Sequence, residues 1–480
     1  MIASKYIPCI GLEVHVQLKT KSKLFCGCGT EFGMPPNTQV CPVCLGYPGA
    51  MPVINKEAVR LTVMAGLMVG SQINSWSKFD RKSYFYPDMP KNYQISQYDH
   101  PLCVGGEVAI PLPHDGEKKI RIIRIHLEED VGKNMHFQNF SGIDFNRAGI
   151  PLMEIVSYPD INSPQEAYEY LLALKRILQY AEISDCNLEE GNVRCDVNCS
   201  VKKQGDPNFG VKTEIKNMNT FRGVFHALEF EIKRQINLLE EGGKVEQETR
   251  RWDPDRNITT PMRTKEDAHD YRYFPEPDLP IIEISRATIE EWRKALPESP
   301  AEKKKRFIKE FGIPDYDAGV LVSERYLADY FESTAKLSSN PKMASNFIMT
   351  EMLRLLTERN ISIENVKITP QMLAELIKLV EKKIINSNTA KEIFVELFEK
   401  GGDPCAIVEQ RGLSQISDAS ILDEIVDKVI RENPKTMEDI QKGKTAAKKF
   451  LMGQVMKISK GKADPLVVSA IIDRKIQMQK

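Results

Sequence analysis

The feature that most limits how this chain can fold is a change of periodicity near residue 300. Before it, alternating apolar and polar segments (Ile7–Leu18, Ile120–Asp130, Val193–Val201, Gly210–Asn217) are separated by Gly, Pro, Asn and Asp. Period two bounded by turn formers is the pattern of half-buried strands. Two helical stretches interrupt them. One opens at Ser163-Pro164 and runs through Ala167, Leu171, Leu174 and Leu178, with Pro in the first turn, where its missing N–H leaves no bond unmade. The other spans Phe221–Glu240. Prolines 254, 261, 275, 277, 280, 297 and 300 then read as a long tether or lid. Beyond it the text turns to Lys, Glu, Leu and Ile at 3.6-residue spacing, and Gly401-Gly402-Asp403-Pro404 breaks that helical text in two. The expectation is an α+β protein: a mixed-sheet body over residues 1–296, then two all-helical modules, 297–402 and 403–480.

At 480 residues the chain is too long for one ordinary core. Its 66 Lys and Arg balance 67 Asp and Glu, so any polyanion must be met by a local patch. No apolar run approaches a membrane span, and the first residues show neither a signal core nor an Arg-rich presequence, so the expected location is the cytoplasm.

Ten cysteines are too few for a disulfide scaffold, but four of them are grouped. Cys26-x-Cys28 is followed after twelve residues by Cys41-x-x-Cys44, with Gly27, Gly29, Pro42 and Gly46 for the sharp turns. Paired, short-spaced thiolates on turns surround one tetrahedral Zn²⁺; the alternative is four unrelated thiols. With all four positions filled and no base inside the motif, such a zinc is structural.

Strand alternation sorts the polar residues onto faces. Glu13, His15 and Gln17 share one face of the first strand, against Leu12, Val14, Val16 and Leu18. Arg124, His126, Glu128 and Asp130 share a face of a second, and Arg194, Asp196 and Asn198 a face of a third. Glu154 stands alone in Ile150-Pro-Leu-Met-Glu-Ile-Val, which is costly unless it is exposed or has a charge partner. One such strand is the solvated edge of a sheet. Several together suggest a floor that holds Mg²⁺ through oxygen ligands, as ATP chemistry requires.

Between Asp80 and Gln97 lies an aromatic and basic loop: Arg81, Lys82 and Lys91 suit phosphates, and Tyr84, Phe85, Tyr86 and Tyr93 either stack on a base or wall the site. Asp270-Tyr-Arg-Tyr-Phe-Pro-Glu-Pro-Asp looks like a lid, with Arg272 among acids and prolines. No P-loop occurs: Gly443-Lys444-Thr445 ends like one, but Glu438 stands where the first Gly belongs. No Ser–His–Asp or Cys–His arrangement is evident. From Lys442 to Lys480, ten Lys and Arg face two Asp (Lys442, Lys444, Lys448, Lys449, Lys457, Lys460 and Lys462 among them), which reads as a grip on an RNA backbone or as a solvated helix face.

Taken together, these words resemble the B subunits of bacterial and organellar glutamyl/aspartyl-tRNA amidotransferases, the GatB family, over essentially the whole chain. The carriers are Gly11-Leu-Glu-Val-His-Val-Gln-Leu, Cys41-Pro-Val-Cys-Leu-Gly-Tyr-Pro-Gly, Arg81-Lys-Ser-Tyr-Phe-Tyr-Pro-Asp, His126-Leu-Glu-Glu-Asp-Val-Gly-Lys, Asn146-Arg-Ala-Gly-Ile-Pro-Leu-Met-Glu-Ile-Val-Ser, Glu189-Glu-Gly-Asn-Val-Arg-Cys-Asp-Val-Asn, Glu214-Ile-Lys-Asn and Gln247-Glu-Thr-Arg. The resemblance implies a glutamine-synthetase-like catalytic body and a tail that approaches the tRNA elbow. It implies a heterotrimer with an amidase subunit (GatA), which supplies ammonia through an internal channel, and a small subunit (GatC). The activity implied is ATP-dependent phosphorylation of the side-chain carboxylate of misacylated Glu-tRNA(Gln) or Asp-tRNA(Asn), followed by amidation. His15, Glu128 and Glu154 would hold Mg²⁺, with Glu13 at a second metal position. Arg194, Asp196 and Lys216 would furnish the phosphate and metal environment, and Cys26, Cys28, Cys41 and Cys44 would hold zinc. Two departures fall outside these words: Phe347 stands where the family usually has Trp, and the tail reads Lys462-Ala-Asp-Pro-Leu. The rival readings are a zinc-containing tRNA-binding assembly subunit with no chemistry of its own, and a free-standing ATP-dependent ligase.

Overall fold

A computed structural model describes residues 5–112, 116–188, 190–263, 271–413, 419–434, 436, 440, 445–459, 463 and 465–478. The chain divides into two compact units, Met1–Pro300 and Ala301–Lys480. The first is built on a ten-stranded mixed sheet and the second on helices, so the fold is α+β.

The sheet runs in the order 258–263, 249–253, 213–218, 193–203, 6–17, 151–157, 116–129, 103–104, 72–73, with 107–112 pairing a further stretch of 116–129. All pairs are antiparallel except 213–218 with 249–253. The strand Tyr6–Gln17 lies in the middle, between Val193–Lys203 and Pro151–Ser157. Its Glu13-x-His15 pair therefore belongs to the centre of a sheet and not to a solvated edge.

Alternation divides the sheet as an antiparallel sheet with one covered face should be divided. Leu12, Val14, Val16, Ile125, Leu127, Met153, Ile155, Cys195 and Val197 are buried in the main core with Tyr170, Leu171 and Leu174. The last three belong to α2 (Pro164–Tyr180), whose Ser163 cap accepts from the Glu166 N–H at 3.1 Å while Glu166 accepts from the Asn162 N–H at 2.9 Å. Val224, Ala227 and Leu228 of α3 (Phe221–Glu240) join the same core, and that helix opens at a Thr220 cap. Helices thus cover one face; on the polar face His126, Glu128, Asp130 and Glu154 are buried, while Glu13, His15, Arg194 and Asp196 are half-buried.

Where two helices were expected in the body, a third, α1 (Lys56–Met68), lies near the start, capped by Asn55. From Ala58 to Leu67 every residue except Arg60 is buried, so the segment has no polar stripe and no amphipathic period to reveal it. Gly66 sits in its interior because the sulfur of Cys103 lies 2.5 Å from where a Cβ would stand.

The proline-rich segment is not a free tether. Phe274–Pro275 adds a strand to Asp80–Ser83, Ile282–Glu283 pairs with Trp76–Ser77, and Arg286–Lys294 is helical. Residues 264–270 lie outside the described set, Asp270 among them.

In the second unit, Phe307 and Phe331 meet edge to face at 5.0 Å, and Leu373, Ile377, Phe394 and Leu397 are fully buried. Phe347, at the position of the family's usual Trp, stacks on Phe394 at 5.8 Å. The short helix Pro404–Gln410 packs on Pro370–Glu381. Ala419–Glu432, Thr445–Ile458 and Pro465–Met478 then surround a separate core of Leu422, Val426, Leu451, Val455, Val468 and Ile472. No described helix is long and apolar enough to cross a membrane.

Candidate active site

Register decides which polar residues meet. His15 stands opposite Arg194 on one neighbouring strand and Glu154 on the other, and Glu154 stands opposite His126. Glu13 faces Asp196, and Glu128 faces Leu152, one side chain along from the Glu154–His126 pair. Four strands therefore deliver one patch of acids and bases onto the polar face.

Its centre is a triad. His15 Nε2 lies 3.8 Å from Glu128 and 3.7 Å from Glu154, and one ligand atom from each residue falls within 4.8 Å of the others. Two carboxylates and an imidazole at this separation fit a single divalent cation, and the carboxylate majority suits Mg²⁺ with waters completing its shell. Glu154, alone in its strand, has its partner in His126 at 3.0 Å. Burial favours the neutral form of Glu154, but His126 and His15 outweigh it and hold the carboxyl well below the usual range. Glu128 is held low in the same way, against burial, by His126 and Lys82. Burial likewise disfavours the His126 cation, yet Glu154 and Glu128 raise it to about 9.

Sequence reasoning put His126 on the right face but gave it no part in the site. Its place beside Glu154 depends on pairing between strands about 30 residues apart, which alternation within one strand cannot supply.

Around the triad the remaining expected residues divide. Glu13 lies outside the triad; it accepts from the Asn198 side chain at 2.8 Å, and burial raises its carboxyl, with Glu154 adding to the effect. Lys216 lies 3.4 Å from Asp196 and 3.1 Å from Glu214. Arg194 donates to Asp130 at 2.7 Å, and Gln17 donates to the other Asp130 oxygen at 2.8 Å. Asp130 is thus the buried anchor of that arginine, a role absent from the sequence expectation.

Lys82 lies over Tyr271 at 4.9 Å, with no ion pair among the described residues. Burial pulls its ammonium down, but Glu128, Tyr273 and Glu154 leave it raised. Its neighbour Arg81 points elsewhere: it grips Glu276 through two hydrogen bonds of 2.8 and 2.9 Å, reaches Asp278 at 3.2 Å, and packs on Tyr93. Alternation on the strand Asp80–Ser83 puts the two cations on opposite faces, so Lys82 enters the cavity and Arg81 fastens the proline-rich segment. Lys91 is also engaged, with buried Glu129 at 2.6 Å. The cavity over this floor holds about 700 Å³ and is lined by Glu13, His15, Lys82, Glu128, Asp130, Arg194, Asp196 and Lys216, with Tyr84, Phe85, Tyr86 and Tyr271 among its walls.

The four grouped cysteines also come together. One sulfur from each of Cys26, Cys28, Cys41 and Cys44 lies within 4.8 Å of the rest, and Cys41 and Cys44 are 4.0 Å apart. A tetrahedral Zn–S shell places sulfurs about 3.8 Å apart, so the set is close to closed around one ion, with no open position. Buried Lys23 ties the loop to the body, its Nζ 3.6 Å from the Cys44 sulfur and 3.2 Å from the Phe145 carbonyl. Gly149, at φ +85°, lets the chain pass against Cys44 and Lys23.

A mixed sheet with one face clad in helices, the other bearing two carboxylates and an imidazole close enough to hold one cation beside a cavity of about 700 Å³, followed by helical modules, defines a class of α+β protein with a candidate catalytic centre on its sheet. Comparison with known proteins gives the family. Residues 8–290 match the GatB/GatE catalytic domain, and residues 329–476 match the GatB domain. The B subunit of the aspartyl/glutamyl-tRNA(Asn/Gln) amidotransferase of Caldanaerobacter subterraneus subsp. tengcongensis is 54% identical over 469 residues, covering 98% of each chain. Those of Thermodesulfovibrio yellowstonii and Clostridium tetani are 54% and 50% identical, covering 98% and 97% of this chain and 98% of each relative. This chain belongs to the GatB family.

Proposed function

We propose that this chain activates the side-chain carboxylate of Glu-tRNA(Gln), Asp-tRNA(Asn) or both with ATP and joins it to ammonia. The names of its relatives supply the substrate class. The observation that carries the chemistry is the His15–Glu128–Glu154 triad, two of whose members, His15 and Glu128, line the cavity.

A carboxylate is a poor electrophile because ammonia would have to expel oxide. Its oxygen therefore attacks the γ-phosphorus of ATP and ADP leaves; ammonia then adds to the acyl carbon and inorganic phosphate leaves. Bound Mg²⁺ supplies charge neutralisation on the phosphates. Glu128 and Glu154, held ionised, and His15 are the residues that would hold it. Lys82, without an ion pair among the described residues and close in charge to Glu128 and Glu154, would meet the transferring phosphoryl group, and Arg194 and Lys216 add positive charge along the same cavity. Arg81, engaged with Glu276 and Asp278, acts on this reading through the segment it fastens and not through the phosphates. Glu13 and Asp196 form a second acidic position beside the triad. Zinc in the four-cysteine loop would be structural.

On this reading ammonia comes from an amidase partner, with a small subunit completing a heterotrimer. Exposed Phe32, Met34, Tyr47 and Met51 on the cysteine loop, with Phe137 and Phe140 stacked on a nearby hairpin, suit a subunit contact.

The test replaces glutamine with ammonium in the reconstituted complex, so that the partner's amidase is bypassed. Glu154→Gln should abolish amide formation on Glu-tRNA and Asp-tRNA while tRNA binding is retained. Full activity in the variant would leave this chain as a zinc-containing tRNA-binding assembly subunit without chemistry of its own.

A further inference from the structure

One side chain on the cavity wall contradicts the economy of the rest. Phe85 is 80% exposed although it lines the cavity, and among the described residues its ring meets no other ring. Its neighbour Tyr86 is also exposed, whereas the other two rings of the wall, Tyr84 and Tyr271, pack edge to face on each other at 6.0 Å. Phe85 is thus the most exposed of the rings that line the cavity, with its face offered to the solvent.

The charges of the same cavity narrow what can cover it. Lys82 and Lys212 both line it, and neither has an ion pair among the described residues, although Arg194 and Lys216 are matched to carboxylates. A ligand that satisfies the whole wall must carry negative charge and a flat unsaturated face together. A nucleotide joins both in one small molecule, and stacking on an exposed ring is how bases are held without being read.

We propose that Phe85 is the stacking platform for an adenine ring at the mouth of the site, with Lys212, on the wall of the same cavity, for the attached phosphates. This rests on the carboxylate-activation reading, which brings two adenines to the cavity: the base of ATP and the terminal base of the tRNA acceptor strand. The chemistry recognised is the same, and the experiment tells them apart.

The assembled complex is titrated with two probes: tRNA in which 2-aminopurine replaces the terminal adenine, and the triphosphate of 2-aminopurine riboside in place of ATP. Stacking quenches the fluorophore. One probe should be quenched by the wild type and by Phe85→Trp but not by Phe85→Leu, and its Kd, measured by equilibrium dialysis, should rise about 10-fold in Phe85→Leu. The quenched probe identifies the adenine. Because Phe85 is exposed, the leucine variant should melt with the wild type, which a thermal scan checks. Unchanged quenching and Kd of both probes in Phe85→Leu would overturn the proposal and give Phe85 to a subunit contact, seen as weaker retention of the partner subunits. If the wild-type complex binds neither probe, the carboxylate-activation reading fails and takes this one with it.

Discussion

Glu154 is the residue on which the centre turns, and it is shared. His126 holds one of its oxygens at 3.0 Å from a position that is 3% exposed, while His15 approaches from the open side. His126 orients Glu154 from the buried side, as residues behind a metal ligand commonly do, and such contacts are worth about 10- to 100-fold in metal affinity. His126→Asn should therefore raise the Mg²⁺ concentration needed for half-maximal amide formation on that order, with kcat at saturating Mg²⁺ reduced less than in Glu154→Gln. An unchanged Mg²⁺ requirement would show that Glu154 is oriented by the sheet alone. At this scale the sequence was half legible. Alternation picked out Glu13, His15, Glu128 and Asp196 because an antiparallel sheet with one polar face writes that face at every second residue. It could not show that Glu154 meets His126 or that Asp130 anchors Arg194, because each depends on register between segments.

Among the elements, α1 shows what periodicity misses. It is buried on nearly every side, and its one interior glycine is set by contact and not by backbone preference. Gly66→Ala would gain about 1 kcal/mol in helix propensity, but the new methyl group would stand against the Cys103 sulfur and Ile73 in a closed core, where overpacking costs about 1–3 kcal/mol. The variant should be less stable in urea unfolding, and Cys103→Ala in the same chain should recover much of the loss; an additive pair would sink the contact argument. In the helical unit the informative element is Arg325–Ser338, where Glu332 accepts from Arg306 at 2.9 Å and Lys336 at 2.6 Å. Burial pushes this carboxyl up, but Arg306 and Lys336 prevail and hold it down at about 2. A carboxyl held low in the folded chain stabilises it above the unfolded value of about 4.3, and that contribution is lost as pH falls toward about 2. Glu332→Gln should thus cost about 1 kcal/mol at neutral pH, the shift being discounted for solvent screening. The difference from wild type should narrow steadily below about pH 4.3 in denaturant titrations, and a constant difference would place the cost in packing.

For the whole molecule, the reading divides labour along the chain. The expected site residues that meet at the cavity, from Glu13 to Lys216, fall within the unit Met1–Pro300. The tail was expected to grip RNA through its basic residues, and the structure qualifies how many of those are available. Lys448 pairs with Asp473, while Arg474 and Lys475 both pair with Asp423, so part of the excess is spent inside the three-helix module. Lys442, Lys444, Lys460 and Lys462 lie outside the described residues; Lys449 and Lys457 are exposed. A cut after residue 413 keeps Pro404–Gln410, which packs on the preceding helices, and removes the module with its separate core, so the remainder should fold. If the tail touches tRNA phosphates, complexes carrying the shortened chain should need on the order of 10-fold more tRNA for half-maximal amidation with ammonium, and kcat should change little. The slope of log affinity against log salt should also become shallower, by about 0.7–0.9 for each phosphate contact removed. An unchanged slope with raised KM would mean that the tail orders the complex without touching the RNA backbone, and the basic count in the sequence would then be a solvated helix face.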